Sequence, residues 1–324
     1  MRAWRVAGAG EPADVMRMVE IEEPEPAVGQ LRVKVTAAGV GLPDVLMCRG
    51  SYPLTPGSEF TPGQEATGVI TAVGPGVDLQ PGTTVMGVTN FIEGHGSFAE
   101  ECLILADSAF PVPDGLTDAQ AAGFWIPHLT AWVGLVDRGR LQPGDWLAVL
   151  GAAGGSGIAA VQLGRALGAQ VIAVVSDEAR AEFTGQLGAD HTALLGPDLA
   201  GRLRELTDGH GVDLVYDPVG GSVAEEASSA LARHGRLLAV GFASGSWPRI
   251  ETHNLVLTNT SLVGVFAGGY SRSELDGIHG ALADLVLNGR LRNAVTEEVP
   301  FDELPAAVQR LADRSVIGKL VAVL

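Results

Sequence analysis

Apolar and polar positions change rhythm once along this chain. From Met1 to about Leu116 the apolar runs are short, often alternate with polar residues and are separated by Gly or Pro: LRVKVTAAG (31–39), ATGVITAVGPG (66–76), TVMGV (84–88) and FAEECLIL (98–105). A period of two predicts half-buried strands, and their close spacing predicts a β-barrel or sandwich. From about Asp118 longer helical segments alternate with the apolar strands WLAVLG (146–151), QVIAVV (170–175), VDLVY (212–216), RLLAVG (236–241) and SLVGVF (261–266). Strands apolar on both faces and separated by helices predict βαβ units and a doubly wound parallel sheet. A closing block follows: helix 273–288, strand AVTEEVP (294–300), helix 302–313 and strand KLVAVL (319–324). Periodicity alone assigns that tail to neither part.

The length, 324 residues, suits about two domains of roughly 150 residues each. The 44 glycines follow no G-x-y period and accompany 46% apolar residues, which excludes collagen and disorder. With 21 Lys and Arg against 38 Asp and Glu the formal charge is −17, and no dense basic run appears. Nucleic acid is therefore excluded as the main partner, because phosphate binding needs a basic face. Cys48 and Cys102 show no C-x-x-C spacing, which predicts reduced thiols in a cytoplasmic protein and neither a disulfide framework nor a thiolate metal knuckle. The N-terminal stretch reaches Glu11 before an apolar run of signal-peptide length develops, so no secretory segment is expected. The uncharged stretch 146–164 is interrupted by Gly151, Gly154, Gly155, Gly157 and Gly164, so no membrane span is expected either.

Directly after WLAVLG stands Ala152-Ala153-Gly154-Gly155-Ser156-Gly157, followed by the helical segment IAAVQLGRALG from Ile158 and the strand QVIAVV. A strand, a Gly-rich turn and a helix in this order form a dinucleotide site, because small residues let the backbone approach a pyrophosphate at the positive helix N-terminus. Ala152 replaces the first glycine of G-x-G-x-x-G. At the tip of the next strand NAD sites place a carboxylate for the ribose hydroxyls, whereas a 2′-phosphate needs small polar groups and a cation. Ser176 stands there with Arg180 four residues on, which favours NADPH if the Asp177 side chain faces solvent. The other reading makes Asp177 the ribose ligand and Arg180 a solvated helix residue. Loops 217–221, 241–245 and 266–270 follow later strands and are places for the nicotinamide, since open parallel sheets bind ligands beyond their strand C-termini.

Over nearly its whole length the chain resembles the medium-chain dehydrogenase/reductase superfamily, in its zinc-independent quinone oxidoreductase (zeta-crystallin-like) branch. The matching stretches are AAGVGLPDVLMCRGSYP (37–53), TPGQEATGVITAVGPGV (61–77), GSFAEECL (96–103), LTAW (129–132), LQPGDWLAVLGAAGGSG (141–157), GHGVDLVYDPVGG (209–221), GRLLAVGFASG (235–245) and IGKLVAVL (317–324). The resemblance implies a GroES-like β-barrel catalytic domain (1–118 and 268–324), a Rossmann NADP-binding domain (119–267) and an active-site cleft where they meet. It puts Gly41, Gln64 and approximately Ile126 where zinc alcohol dehydrogenases hold their catalytic metal, and none of these is a strong zinc ligand. It departs from quinone-active members at Gly41, usually Asn, and in HTALLGPD (191–198), where a Tyr is common. Asp44 and Tyr52 match pocket positions, with Tyr52 as the candidate proton donor or else a packing side chain in a GSYP turn. Ala153, Gly154, Gly155, Ser156, Gly157 and Ile158 are expected at the pyrophosphate, and Ser176 and Arg180 at the 2′-phosphate. Thr130, Gly241, Phe242, Phe266 and Gly268 are expected to border the nicotinamide, with Lys319 of the G-K motif approaching from the tail.

The implied activity is hydride transfer from NADPH to a small quinone or an α,β-unsaturated carbonyl, acceptors that need no metal. An enoyl-thioester reductase and a non-catalytic NADPH-binding, crystallin-like protein are the alternatives. The resemblance further implies a homodimer joined through SLVGVF.

Overall fold

The computed structural model describes residues 1–57, 59–292 and 295–324. In chain order its strands are β1 (Arg2–Val6), β2 (Met16–Glu20), β3 (Gln30–Val40), β4 (Glu65–Val73), β5 (Thr84–Thr89), β6 (Glu101–Pro111), β7 (Trp146–Leu150), β8 (Gln170–Val175), β9 (His191–Leu194), β10 (Val212–Asp217), β11 (Leu231–Ala239), β12 (Ser261–Gly264), β13 (Val295–Pro300) and β14 (Lys319–Val323). Ala294, the first residue of the expected strand AVTEEVP, lies outside the described residues. The chain divides into two compact units, one of Met1–Ile126, Ser271–Ala283 and the tail, the other of Pro127–Tyr270 and Asp284–Arg292.

The first unit is a GroES-like barrel. Leu31, Val33 and Val35 of β3 point into the core while Lys34 is exposed, the alternation its sequence predicts. One half of β3 pairs with β6 and the whole strand with β4, while β4 pairs with β5 and β5 with β6, so the four strands close on themselves. The other half of β3 pairs antiparallel with β14, Leu320 opposite Val40 and Val323 opposite Ala37. This places the tail that periodicity left unassigned. Its residues Phe301, Leu304, Val308 and Leu320 join Val33, Ile70, Val85 and Ile104 in one apolar core. The helix Asp118–Ala122 packs Ala119 and Ala122 against Ala37 and Val321, which brings residues 119–126 into this unit.

The second unit carries a six-stranded sheet in the order β12-β11-β10-β7-β8-β9, parallel throughout. This is the doubly wound Rossmann order, with its reversal between β7 and β10. Val149, Leu150, Ile172, Val174 and Val215 are wholly buried, each contributing roughly 1.5–3 kcal/mol, which is why these strands carry no polar face. The short strand β9 had no expectation, because His191 and Thr192 break the apolar run by which the others were recognised. SLVGVF differs from its neighbours in another way. Only Ser261–Gly264 is strand, it lies at the sheet edge, and Leu262 is 43% exposed. Residues 284–292 return to this unit, where Arg292 donates its amide to Gln162 Oε1 at 2.6 Å and the Arg290 guanidinium bonds the Ala166 carbonyl.

Candidate functional site

In the second unit the turn 151–154 leaves β7 and enters the helix Gly155–Ala166 with Gly154 as N-cap. No side chain caps this helix, so its first-turn amides are left for another acceptor. Gly157 is required by packing, since a Cβ there would stand 2.3 Å from the Gly151 carbonyl oxygen and 2.7 Å from Ala152 Cα. Gly154 is exposed, and Gly155 and Ser156 are half-buried. Small residues, an uncapped helix start and a close strand-to-helix turn fit the pyrophosphate of a dinucleotide. Ile158 is a correction to the expected set. Its side chain is wholly buried and its amide bonds the Gly154 carbonyl at 2.9 Å, so it offers a ligand nothing.

At the tip of β8 the Asp177 side chain is 41% exposed, as expected, but its carboxylate is engaged by its own neighbours. Asp177 N-caps the helix Glu178–Gln186, accepting from the Arg180 amide at 3.0 Å, from Ser176 Oγ at 2.8 Å and from the Arg180 guanidinium. The Arg180 amide, the Ser176 hydroxyl and the guanidinium together hold its pKa below the ordinary carboxylate value. Ser176 and Arg180 are therefore side by side, with a carboxylate between them.

Loops 217–221, 241–245 and 266–270 follow β10, β11 and β12, at the same edge of the sheet as the Gly-rich turn and Ser176. Asp217 Oδ1 accepts from the amides of Val219 at 2.9 Å and Gly220 at 2.7 Å, fixing the first loop. Burial pushes this carboxyl up to about 6, against those two amides. Gly241 lies beneath the Pro218 carbonyl, and Phe242 rests on Trp247 with ring centroids 4.9 Å apart. Phe266 is exposed, and its ring lies over Gly268 where any Cβ would meet it. Thr130, on the helix Trp125–Trp132, is half-buried.

The first unit gathers the other candidates at the ends of β3, β4 and β14. Lys319 Nζ donates to Glu65 Oε1 at 2.7 Å, both side chains being almost fully buried, and Glu65 Oε2 accepts from the Ile126 amide at 3.0 Å. Gly39 makes room for this pair, since a Cβ there would lie 2.6 Å from Glu65 Oε1. Lys319, expected to approach the cofactor from the tail, is thus a buried ion-pair partner. Asp44 is corrected likewise: it is 1% exposed, with Oδ2 accepting from the Gly41 amide at 2.8 Å and Oδ1 from the Gly63 amide at 2.9 Å. Burial raises its carboxyl to about 6, opposed by the Gly41 amide and the Lys319 charge. Glu65 escaped the sequence reading, although a carboxylate and an ammonium, each opening an otherwise apolar strand, were the available signal.

Tyr52 is half-buried beside Phe91, centroid to centroid 6.4 Å. Burial raises its hydroxyl above the ordinary value of 10, and a hydrogen bond from the Gln64 side chain partly opposes this. Gln64 also donates to Met47 Sδ at 3.6 Å. Gly41, Gln64 and Ile126 all belong to the first unit. Among the described residues no three His, Cys, Asp or Glu side chains are grouped to hold a metal ion. Both cysteines are buried, and burial pushes the Cys48 thiol up to about 12. Among the described residues no helix is long and apolar enough to cross a membrane.

A closed GroES-like barrel, a doubly wound sheet of this strand order and an uncapped Gly-rich turn define a nicotinamide-dependent dehydrogenase or reductase. Residues 27–114 match the alcohol dehydrogenase GroES-like domain family and 155–283 the zinc-binding dehydrogenase family. A quinone oxidoreductase-like protein 2 homolog of Nematostella vectensis is 33% identical over 90% of this chain and 81% of its own length. A 2-haloacrylate reductase of a Burkholderia species is 33% identical over 93% of each. The structure of mycobacterial Rv1454c complexed with NADPH superposes with a TM-score of 0.94 at 31% identity, covering both chains completely. The chain belongs to the medium-chain dehydrogenase/reductase superfamily, in its quinone oxidoreductase branch, and is an oxidoreductase.

Proposed function

We propose that the protein is an NADPH-dependent, zinc-independent reductase of small electrophilic acceptors, α,β-unsaturated carbonyls or quinones. The observation that carries the nucleotide half is the uncapped Gly-rich turn beside a strand tip holding both Ser176 and Arg180. The NADPH complex of Rv1454c and the 2-haloacrylate reductase, whose named substrate is a conjugated acid, support the pairing of cofactor and acceptor. The bound nicotinamide supplies the hydride. The chain supplies position and a proton: backbone amides and Ser156 take the pyrophosphate side, Gly241, Phe242, Phe266, Gly268 and Thr130 border the nicotinamide, and Tyr52 donates to the reduced acceptor. Gly41, Gln64 and Ile126 bring no thiolate, imidazole or carboxylate, so conjugation in the acceptor takes the place of a Lewis acid. Turnover of an enone and quinone panel by NADPH, with chelator present, tests this reading, and binding of NADPH without turnover would contradict it.

Arg180 is shared between Asp177 and the 2′-phosphate, so its contribution falls at the lower end for a charge-assisted bond. Arg180→Ala is expected to weaken NADPH binding about tenfold and leave NADH nearly unchanged. Titration of both nucleotides into both proteins checks it, and equal loss of the two would exclude Arg180 from the phosphate.

The proposed assembly is a homodimer formed at β12, whose edge exposes Leu262 beside the 75% and 77% exposed Val256 and Leu257. Sedimentation is expected to show a dimer that Leu262→Lys dissociates. A monomeric wild type would exclude it.

A further inference from the structure

Tyr216, next to last in β10, is wholly buried, and its hydroxyl oxygen lies 2.8 Å from Ser156 Oγ in the first turn of the helix Gly155–Ala166. Distance alone allows either hydroxyl to be the donor, but burial decides between them. Among the described residues the phenol has this one hydrogen-bonding partner. Were Ser156 to donate, the Tyr216 proton would be orphaned in an apolar interior, which is the costly arrangement. Tyr216 therefore donates and Ser156 Oγ accepts. The ring cannot swing away from this task, since it packs so closely on Gly134 that a Cβ there would lie 2.9 Å from Cε2. Burial also raises the phenol's pKa, so the proton stays in place at every working pH.

The consequence concerns the other hydrogen. With its oxygen held by Tyr216, the half-buried Ser156 keeps its own O–H for a group outside the protein, at a helix start that no side chain caps. We infer that Tyr216 is a positioning residue that fixes the Ser156 hydroxyl as a hydrogen-bond donor to an oxygen of bound NADPH. The inference rests on the NADPH part of the proposed function and is independent of the acceptor.

The test is fluorescence titration of NADPH, without any acceptor, into wild type, Tyr216→Phe, Ser156→Ala and the double variant, with a melting curve for each. Ser156→Ala is expected to weaken NADPH roughly three- to tenfold and Tyr216→Phe roughly two- to fivefold, the range of a neutral hydrogen bond. The double variant is expected to bind as Ser156→Ala does, because a fixed hydroxyl has no value once the hydroxyl is gone. Stability is expected to behave oppositely: Ser156→Ala orphans the phenol and lowers the melting temperature, and adding Tyr216→Phe restores it. Multiplicative losses in the double variant, or unchanged affinity in Ser156→Ala, overturn the inference while the proposed function stands. A wild type that does not bind NADPH overturns both.

Discussion

Lys319→Met is expected to destabilise the protein by about 3–5 kcal/mol, the largest single effect anticipated here. The substitution strands the Glu65 carboxylate, 3% exposed, with the Ile126 amide as its remaining partner, 254 residues away in sequence from the lysine it has lost. Removing both charges avoids that penalty, so Glu65→Leu combined with Lys319→Met is expected to lose less than Lys319→Met alone. Urea unfolding of the three variants reads the comparison. If Lys319→Met unfolds at the wild-type midpoint, the pair is not the clamp between β4 and β14 described above.

The second large effect is catalytic. Tyr52→Phe is expected to lower kcat by at least about a hundredfold, the lower bound for loss of a positioned proton donor, while NADPH affinity stays at the wild-type value. The pH profile carries the same claim. Burial raises the Tyr52 pKa above its ordinary 10, so the hydroxyl is protonated throughout the neutral range. The rate is therefore expected to hold level through neutrality and to fall only above about pH 10, as the proton is lost. A phenylalanine variant as fast as wild type would return Tyr52 to a packing role.

How far the sequence foretold this arrangement depended on the range of the interactions involved. β7, β8 and β10 were legible because a strand buried on both faces must be apolar throughout, and the Gly-rich turn because its required conformation and close packing are written in adjacent residues. The Asp177 cap was equally local, an Asp directly before a helix, yet exposure of its side chain was expected without the contacts it makes to Ser176 and Arg180. The structure shows a short network in which Asp177 orients both phosphate candidates. The Glu65–Lys319 pair and the seating of β14 on β3 join opposite ends of the chain, and no local pattern encodes them. Tyr216 reads in sequence as one more apolar strand residue. Only its hydroxyl contact with Ser156 distinguishes it. The edge position of β12 was legible only through the resemblance, since an exposed edge strand has the same apolar composition as a buried one.

The proposed reaction is reduction of a conjugated acceptor by NADPH without a metal. Its most direct test is to turn over a small cyclic enone with NADPH deuterated at nicotinamide C4, in the presence of a zinc chelator, and to locate the label in the product. The expected product is a saturated ketone with deuterium on the carbon β to the carbonyl, formed at the same rate with and without chelator. Deuterium on the carbonyl carbon, as in an allylic alcohol, or a rate abolished by the chelator, would contradict it.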